Sequence, residues 1–215
     1  TFSASNPNLT SLCYDPDAQK TIVAFSDGGN SDHGTAKVGT VSGTDITFGS
    51  AVVFEAASVR DVAQVYDTNS NKVVIGYKDQ GNSDHGTAII GTVSGTSISF
   101  GSEVIYFDGS LVFSAAAFDE NAKRVVVSFR DLGNSSYGTF IPLAVSGTSI
   151  SAGTAVVFNS AESNYNSVVY DSSNKKVVLL YNDDGNSDRG TAIVLQTGYD
   201  NTTRGEIADG KTATI

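Results

Sequence analysis

Four eight-residue stretches hold the side chains best suited to chemistry: DGGNSDHG (27 to 34), DQGNSDHG (79 to 86), DLGNSSYG (131 to 138) and DDGNSDRG (183 to 190). Each opens on an aspartate, Asp27, Asp79, Asp131 or Asp183, followed by an asparagine and, in three of them, by a second aspartate. Oxygen-rich spacing of this kind suits a hard cation such as Ca2+, which makes these four carboxylates candidate metal ligands. The EF-hand pattern is not met and its distal Glu is missing, and an aspartate that caps its own turn's N–H groups accounts for the same residues. One position of the stretches reads His33, His85, Tyr137 and Arg189, side chains able to hold a glycan or a protein epitope. Arg60 and Tyr165 are the most distinctive residues of the segments between the copies, and they complete the set of candidate ligand-binding residues.

Catalysis is a poorer fit to the same residues. A nucleophile needs a base beside it, but the only two histidines, His33 and His85, occupy equivalent places in copied stretches. A glycosidase needs two carboxylates facing each other across the substrate. Asp61 is the one acidic inner-strand residue that is not copied in every unit, since the aspartates at 15, 67, 119 and 171 recur as scaffold features do. No enzyme activity and no cofactor are expected, beyond the Ca2+ that the aspartates suggest.

The elements that must position these residues are four copies of one unit, because Gly29-Asn30-Ser31 returns at 81, 133 and 185, a step of 52 residues each time. In the second copy DVAQVYD (61 to 67), KVVIGYKD (72 to 79), TAIIGTVSG (87 to 95) and SISFGSEVIYF (97 to 107) read as strands, and Gly, Asn, Asp and Ser fill the gaps. The expectation is an all-β, four-bladed β-propeller of four-stranded repeats, at about 3–54, 55–106, 107–158 and 159–215 of a single domain 1–215. A β-solenoid and part of a larger propeller are the alternatives.

Two features favour the ring. The first strand of each unit carries a small residue at one register, Ser11, Ala63, Ala115 and Ser167, as crowding around an axis requires. Thr1-Phe2 matches the end of a fourth strand, and four units closing on themselves leave 215 − 208 = 7 extra residues for the last loop. KTATI (211 to 215) would then be the closing outer strand. In a propeller the GNS loops share a rim with the segments 55 to 60, 107 to 112 and 159 to 164.

Composition narrows the partners. A net charge of −10 and a pI near 4.4 speak against nucleic acid, which is held mainly by Lys and Arg. No apolar run approaches the roughly 18 residues of a membrane helix, so no membrane insertion is expected. Cys13 has no second cysteine to pair with, and its setting (LCY) reads as a small buried thiol. Met is absent, so Thr1 is not a translation start, and a piece or processed product of a longer polypeptide is expected.

The stretch YDTNSNKVVIGYKDQGNSDHGTAIIGTVSGTSISFGSEVIYF (66 to 107), and within it GTVSGTSISFGS (91 to 102), resembles repeats of marine phage and cyanophage tail-fibre-like and virion structural proteins. VSGTSIS (145 to 151) and the ending GEIADGKTATI (205 to 215) carry the same resemblance. It implies a virion or extracellular location and a role in display or adhesion, with other subunits of an assembly or a host-surface glycan or receptor as partners. The D-x-G core of the loops also resembles the Asp-box turn of sialidase-type propellers, but Phe25, Tyr77, Phe129 and Tyr181 stand where that motif has Ser or Thr.

Overall fold

The computed structural model describes residues 1–3, 6–195 and 213–214. Its described residues form sixteen strands, all paired antiparallel, and no α-helix. The first unit contains β1 (Pro7–Asp15), β2 (Lys20–Asp27), β3 (His33–Ser42) and β4 (Asp45–Phe48). The second contains β5 (Val52–Asp67), β6 (Lys72–Asp79), β7 (His85–Ser94) and β8 (Ser97–Phe100). The third contains β9 (Val104–Asp119), β10 (Arg124–Asp131), β11 (Tyr137–Ser146) and β12 (Ser149–Ala152). The fourth contains β13 (Val156–Asp171), β14 (Lys176–Asp183), β15 (Arg189–Leu195) and β16 (Ala213–Thr214).

The turns follow from the repeated aspartates. Asp67 Oδ1 accepts the N–H groups of Asn69 (2.8 Å) and Ser70 (3.1 Å), and Asp119 Oδ1 accepts those of Asn121 and Ala122 (both 2.9 Å). Asp15 and Asp171 do the same in their own units. An Asx cap of this kind ends the first strand and starts the second, which is why the residue recurs fourfold.

The fourth strand differs from its expected form. It breaks after Phe48, Phe100 and Ala152, then resumes as a strand of 16 residues that runs without a loop into the next unit. The first part of β5 pairs with β3 and the second part with β6, and β9 and β13 bridge their units likewise. The segments 55 to 60, 107 to 112 and 159 to 164, expected as variable links between blades, are therefore strand that changes partners midway.

Each junction between units is an apolar layer. Ile22, Ala24, Ala36 and Val38 of the first unit meet Tyr66, Val73, Ile75 and Ile89 of the second. Val74, Ala88 and Ile90 then meet Phe118, Val125 and Ile141 of the third. Val126 and Phe140 meet Val177 and Leu179 of the fourth. A ring on the first part of each crossing strand packs on the central aromatic of the unit that the strand enters: Phe54 on Tyr77 (centroids 5.3 Å), Tyr106 on Phe129 (6.3 Å) and Phe158 on Tyr181 (5.0 Å). Phe2 packs on Phe25 at 5.3 Å, so the start of the chain does supply the ring that a preceding outer strand would. Cys13 lines the first junction, where burial and Asp15 raise its thiol pKa to about 12.

Closure into a four-bladed ring does not occur among the described residues. The strand path runs from β1 to β16, and neither end pairs with the other. Leu12 (64% exposed) and Tyr14 (56%) on the first unit, like Val169 (61%) and Val194 (54%) on the fourth, remain uncovered where closure would bury them. At the small-residue register of the first unit, Ser11 Oγ accepts the N–H of Gln64 at 3.1 Å, so the first two inner strands approach closely without any ring. Ala213 and Thr214 pair with Ala192 and Thr191, the outer-strand place of Val52 and Val53 on Ala36 and Thr35. The rest of the segment after Leu195, including most of KTATI, lies outside the described residues.

Candidate functional site

The loop aspartates sit where turn capping puts them. Asp27, Asp79 and Asp131 each accept the N–H of the glycine two residues on, at 3.1, 2.9 and 2.9 Å. Asp183 departs from the pattern: it accepts a hydrogen bond from Asn159 Nδ2 at 3.0 Å, and its side chain makes no capping hydrogen bond to the 3-10 turn that follows it. Each belongs to its own unit, and only Asp79 has two further carboxylates beside it among the described residues. Glu55, Asp79 and Glu103 bring one oxygen each within 4.8 Å of one another. Tyr77 Oη donates towards Glu103 (3.1 Å) and Glu55 (3.4 Å), so a shared phenolic proton already bridges two of them. Burial, and then the neighbouring Glu103, raise the Glu55 pKa to about 7.

His33, His85, Tyr137 and Arg189 open the third strands rather than lying in loops. Each pairs across to its own unit's aspartate, from Asp27↔His33 to Asp183↔Arg189. Three of them also face a crossing strand, at Ser58, Ser110 and Glu162, so the GNS loops and the crossings do share one rim. His85 meets the crossing strand β9, where its Nε2 lies 3.1 Å from Asp108. Among the described residues Arg189 donates to Asn186 of its own loop, at 3.4 Å. Nothing gathers these four side chains around one point.

What the structure does gather lies on the first strands. Pairing slips between Asn8 and Ser11, Arg60 and Ala63, Val112 and Ala115 (opposite Arg130 and Ser128), and Asn164 and Ser167. Two residues oppose one each time, a β-bulge, and the residue opposite it is the junction aromatic, Phe25, Tyr77, Phe129 or Tyr181. The first bulge residue is left-handed in every unit: Leu9 (φ 50°), Asp61 (51°), Phe113 (58°) and Tyr165 (55°). None of them is glycine, so each carries a backbone cost on the order of 1–2 kcal/mol. Strain kept fourfold under four different side chains is maintained by the fold and leaves the side chain free to vary.

Three of the four bulge residues touch in sequence. Asp61 Oδ1 accepts the N–H of Phe113 at 2.8 Å, and the Phe113 ring meets the Tyr165 ring at 4.8 Å. Arg130 lies over Phe113, 5.0 Å from the ring centroid, and donates to Glu162 and Asn164 beside Tyr165. Arg60, on the neighbouring stretch, pairs with Asp32 at 3.0 Å and donates to Ser26 Oγ, which ties the crossing to the first GNS loop. Burial raises the Asp61 pKa, while the Phe113 N–H and the charges of Lys78, Arg130 and Arg60 oppose that rise.

The arrangement offers two adjoining aromatic faces, one with a guanidinium stacked on it, a carboxylate and several amide groups, and Tyr165 is 73% exposed. Such a surface can stack and hydrogen-bond a sugar or a peptide. No serine, cysteine or histidine stands in it as a nucleophile–base pair. Of the sequence candidates, Arg60 and Tyr165 belong to this rim, whereas Asp61, Phe113 and Arg130 were not among the expected binding residues. The signal that could have found them is a run of four unlike residues, at 9, 61, 113 and 165, next to the constant small-residue register. Compared with protein-family models and with the curated proteins, the chain matches none of them.

Proposed function

We propose that the chain is a non-enzymatic recognition and structural module, an arc of propeller-type blades that presents the bulge rim to a partner in an extracellular or virion assembly. The observation that carries this reading is the fourfold bulge: one strained backbone, copied in every unit, bearing Leu9, Asp61, Phe113 and Tyr165. A scaffold that is copied while its projecting side chains differ is the arrangement expected of a binding surface. The net charge of −10 directs the reading towards glycans and protein surfaces rather than nucleic acid. The resemblance to tail-fibre-like repeats supports the location and the adhesive role.

A lectin is the second reading, favoured by the contact of Phe113 with Tyr165 and by Arg130 stacked on Phe113. Ring stacking against the apolar face of a sugar is the usual core of such sites, with charged groups at its edge. A glycan array probed with the wild-type chain and with Tyr165→Ala tests both readings. A lectin gives defined hits that weaken at least tenfold in the variant, a loss of about 1.4 kcal/mol. A module that recognises protein gives no glycan hits but retains Tyr165-dependent binding to intact host surfaces. Binding that Tyr165→Ala leaves unchanged in both formats contradicts the proposed rim.

A further inference from the structure

The outer faces of the first and fourth units correspond to the two halves of a junction that the chain already makes three times. The face that each unit turns to the next is built at registers 22, 36 and 38 of the first unit, and Ile22, Ala36 and Val38 there are fully buried. In the fourth unit the same registers are Val178, Ala192 and Val194, still all apolar, and no unit among the described residues covers them. Val194 is 54% exposed, whereas its equivalents Val38 and Ile90 are 1% and 0% exposed.

The opposite face behaves in the mirror sense. Tyr66 and Phe118 are buried against the preceding unit, and their equivalent in the first unit, Tyr14, is exposed. Leu12, Val41 and Ile46 extend the same uncovered surface. Phe2 already fills the aromatic place on Phe25, so this face needs no strand from another unit to complete its central ring pair. The polar residues Thr21 and Lys37 stand at the registers of Val73 and Ile89, which makes a junction formed here weaker than the internal ones.

We propose that a second copy of this chain docks head to tail, the face bearing Val169, Leu180 and Val194 of one copy against the face bearing Leu12, Tyr14 and Ile46 of the other. The two faces are different surfaces, so the contact is heterologous and builds a closed ring of copies or an open filament according to the rotation between units. Continuity with the internal junction identifies the occupant: the surface that fits each face best is the one the same repeat presents at the other end. Contiguous exposed apolar surface of this kind is uncommon on a lone soluble domain.

Sedimentation velocity over a range of concentrations tests the proposal with the wild-type chain, Leu12→Glu, Val194→Glu and an equimolar mixture of the two variants. Both substitutions fall on exposed side chains, and circular dichroism confirms that the variants fold. The wild type is expected to exceed the mass of one chain as concentration rises. Each variant alone, with one face blocked in every copy, remains a single chain. The mixture forms a one-to-one pair, because each variant still carries the face that the other needs. A wild type that stays a single chain throughout overturns the proposal and points to closure within one chain. Variants that assemble as the wild type does, or a mixture that fails to pair, overturn it as well.

Discussion

Glu55 shows how a single departure from the repeat changes the chemistry of a junction. Its equivalents in the other units are Ser3, Phe107 and Asn159, and only in the second unit does a carboxyl group stand beside Tyr77, Asp79 and Glu103. Its pKa is raised from 4.5 to about 7, so between those values the folded protein binds more protons than the unfolded one. Stability from this group is therefore fully present below the ordinary value and is lost as pH rises through about 7. The half-buried carboxyl is partly screened by water, which reduces the effect to roughly 1 kcal/mol. The Tm of the wild type should fall between pH 5 and pH 8 by a few degrees more than that of Glu55→Gln. Parallel Tm profiles would show that Glu55 does not titrate in this way. The carboxyl cluster was not legible in the sequence, because Glu55 on β5 and Glu103, in the break just before β9, are far apart in the chain and meet only through the strand pairing.

At the scale of the element, the aromatic ring of each outer strand dictates the residue beneath it. A Cβ on Gly34 would lie 2.3 Å from the Phe54 ring, and one on Gly138 would lie 2.3 Å from the Phe158 ring. Gly190, at the same register, has no such ring against it among the described residues. Gly34→Ala should cost about 1–3 kcal/mol in a chemical denaturation experiment, as overpacking does, while Gly190→Ala stays close to the wild type. Equal costs for both substitutions would mean that backbone entropy, and not the ring, sets the requirement. Period and strand composition were enough to place the units, their strands and the Asp-capped turns, because a capping aspartate and a β-branched run are signals carried by residue type. The bulge was not, since Leu9, Asp61, Phe113 and Tyr165 share a left-handed backbone but no chemistry. The His33, His85, Tyr137 and Arg189 series was legible as variation, but a shared register around an array does not bring side chains together.

For the whole molecule, the arithmetic of chain length suggested one closed ring, and the described strands form an open array. Length counts residues, whereas closure depends on the angle at which successive units pack. The junction layers hold full-sized residues such as Ile75, Phe118 and Leu179. The array places the bulges of successive units side by side, and the proposed binding rim lies there rather than on the GNS loops. The most direct test is an amide NMR titration of the wild-type chain with the strongest ligand found on glycan arrays or host-surface preparations. The shifts are expected to concentrate at Asp61, Phe113 and Tyr165 and their strand neighbours. Shifts confined to the turns before His33, His85, Tyr137 and Arg189, with the bulge amides unmoved, would contradict the proposed rim.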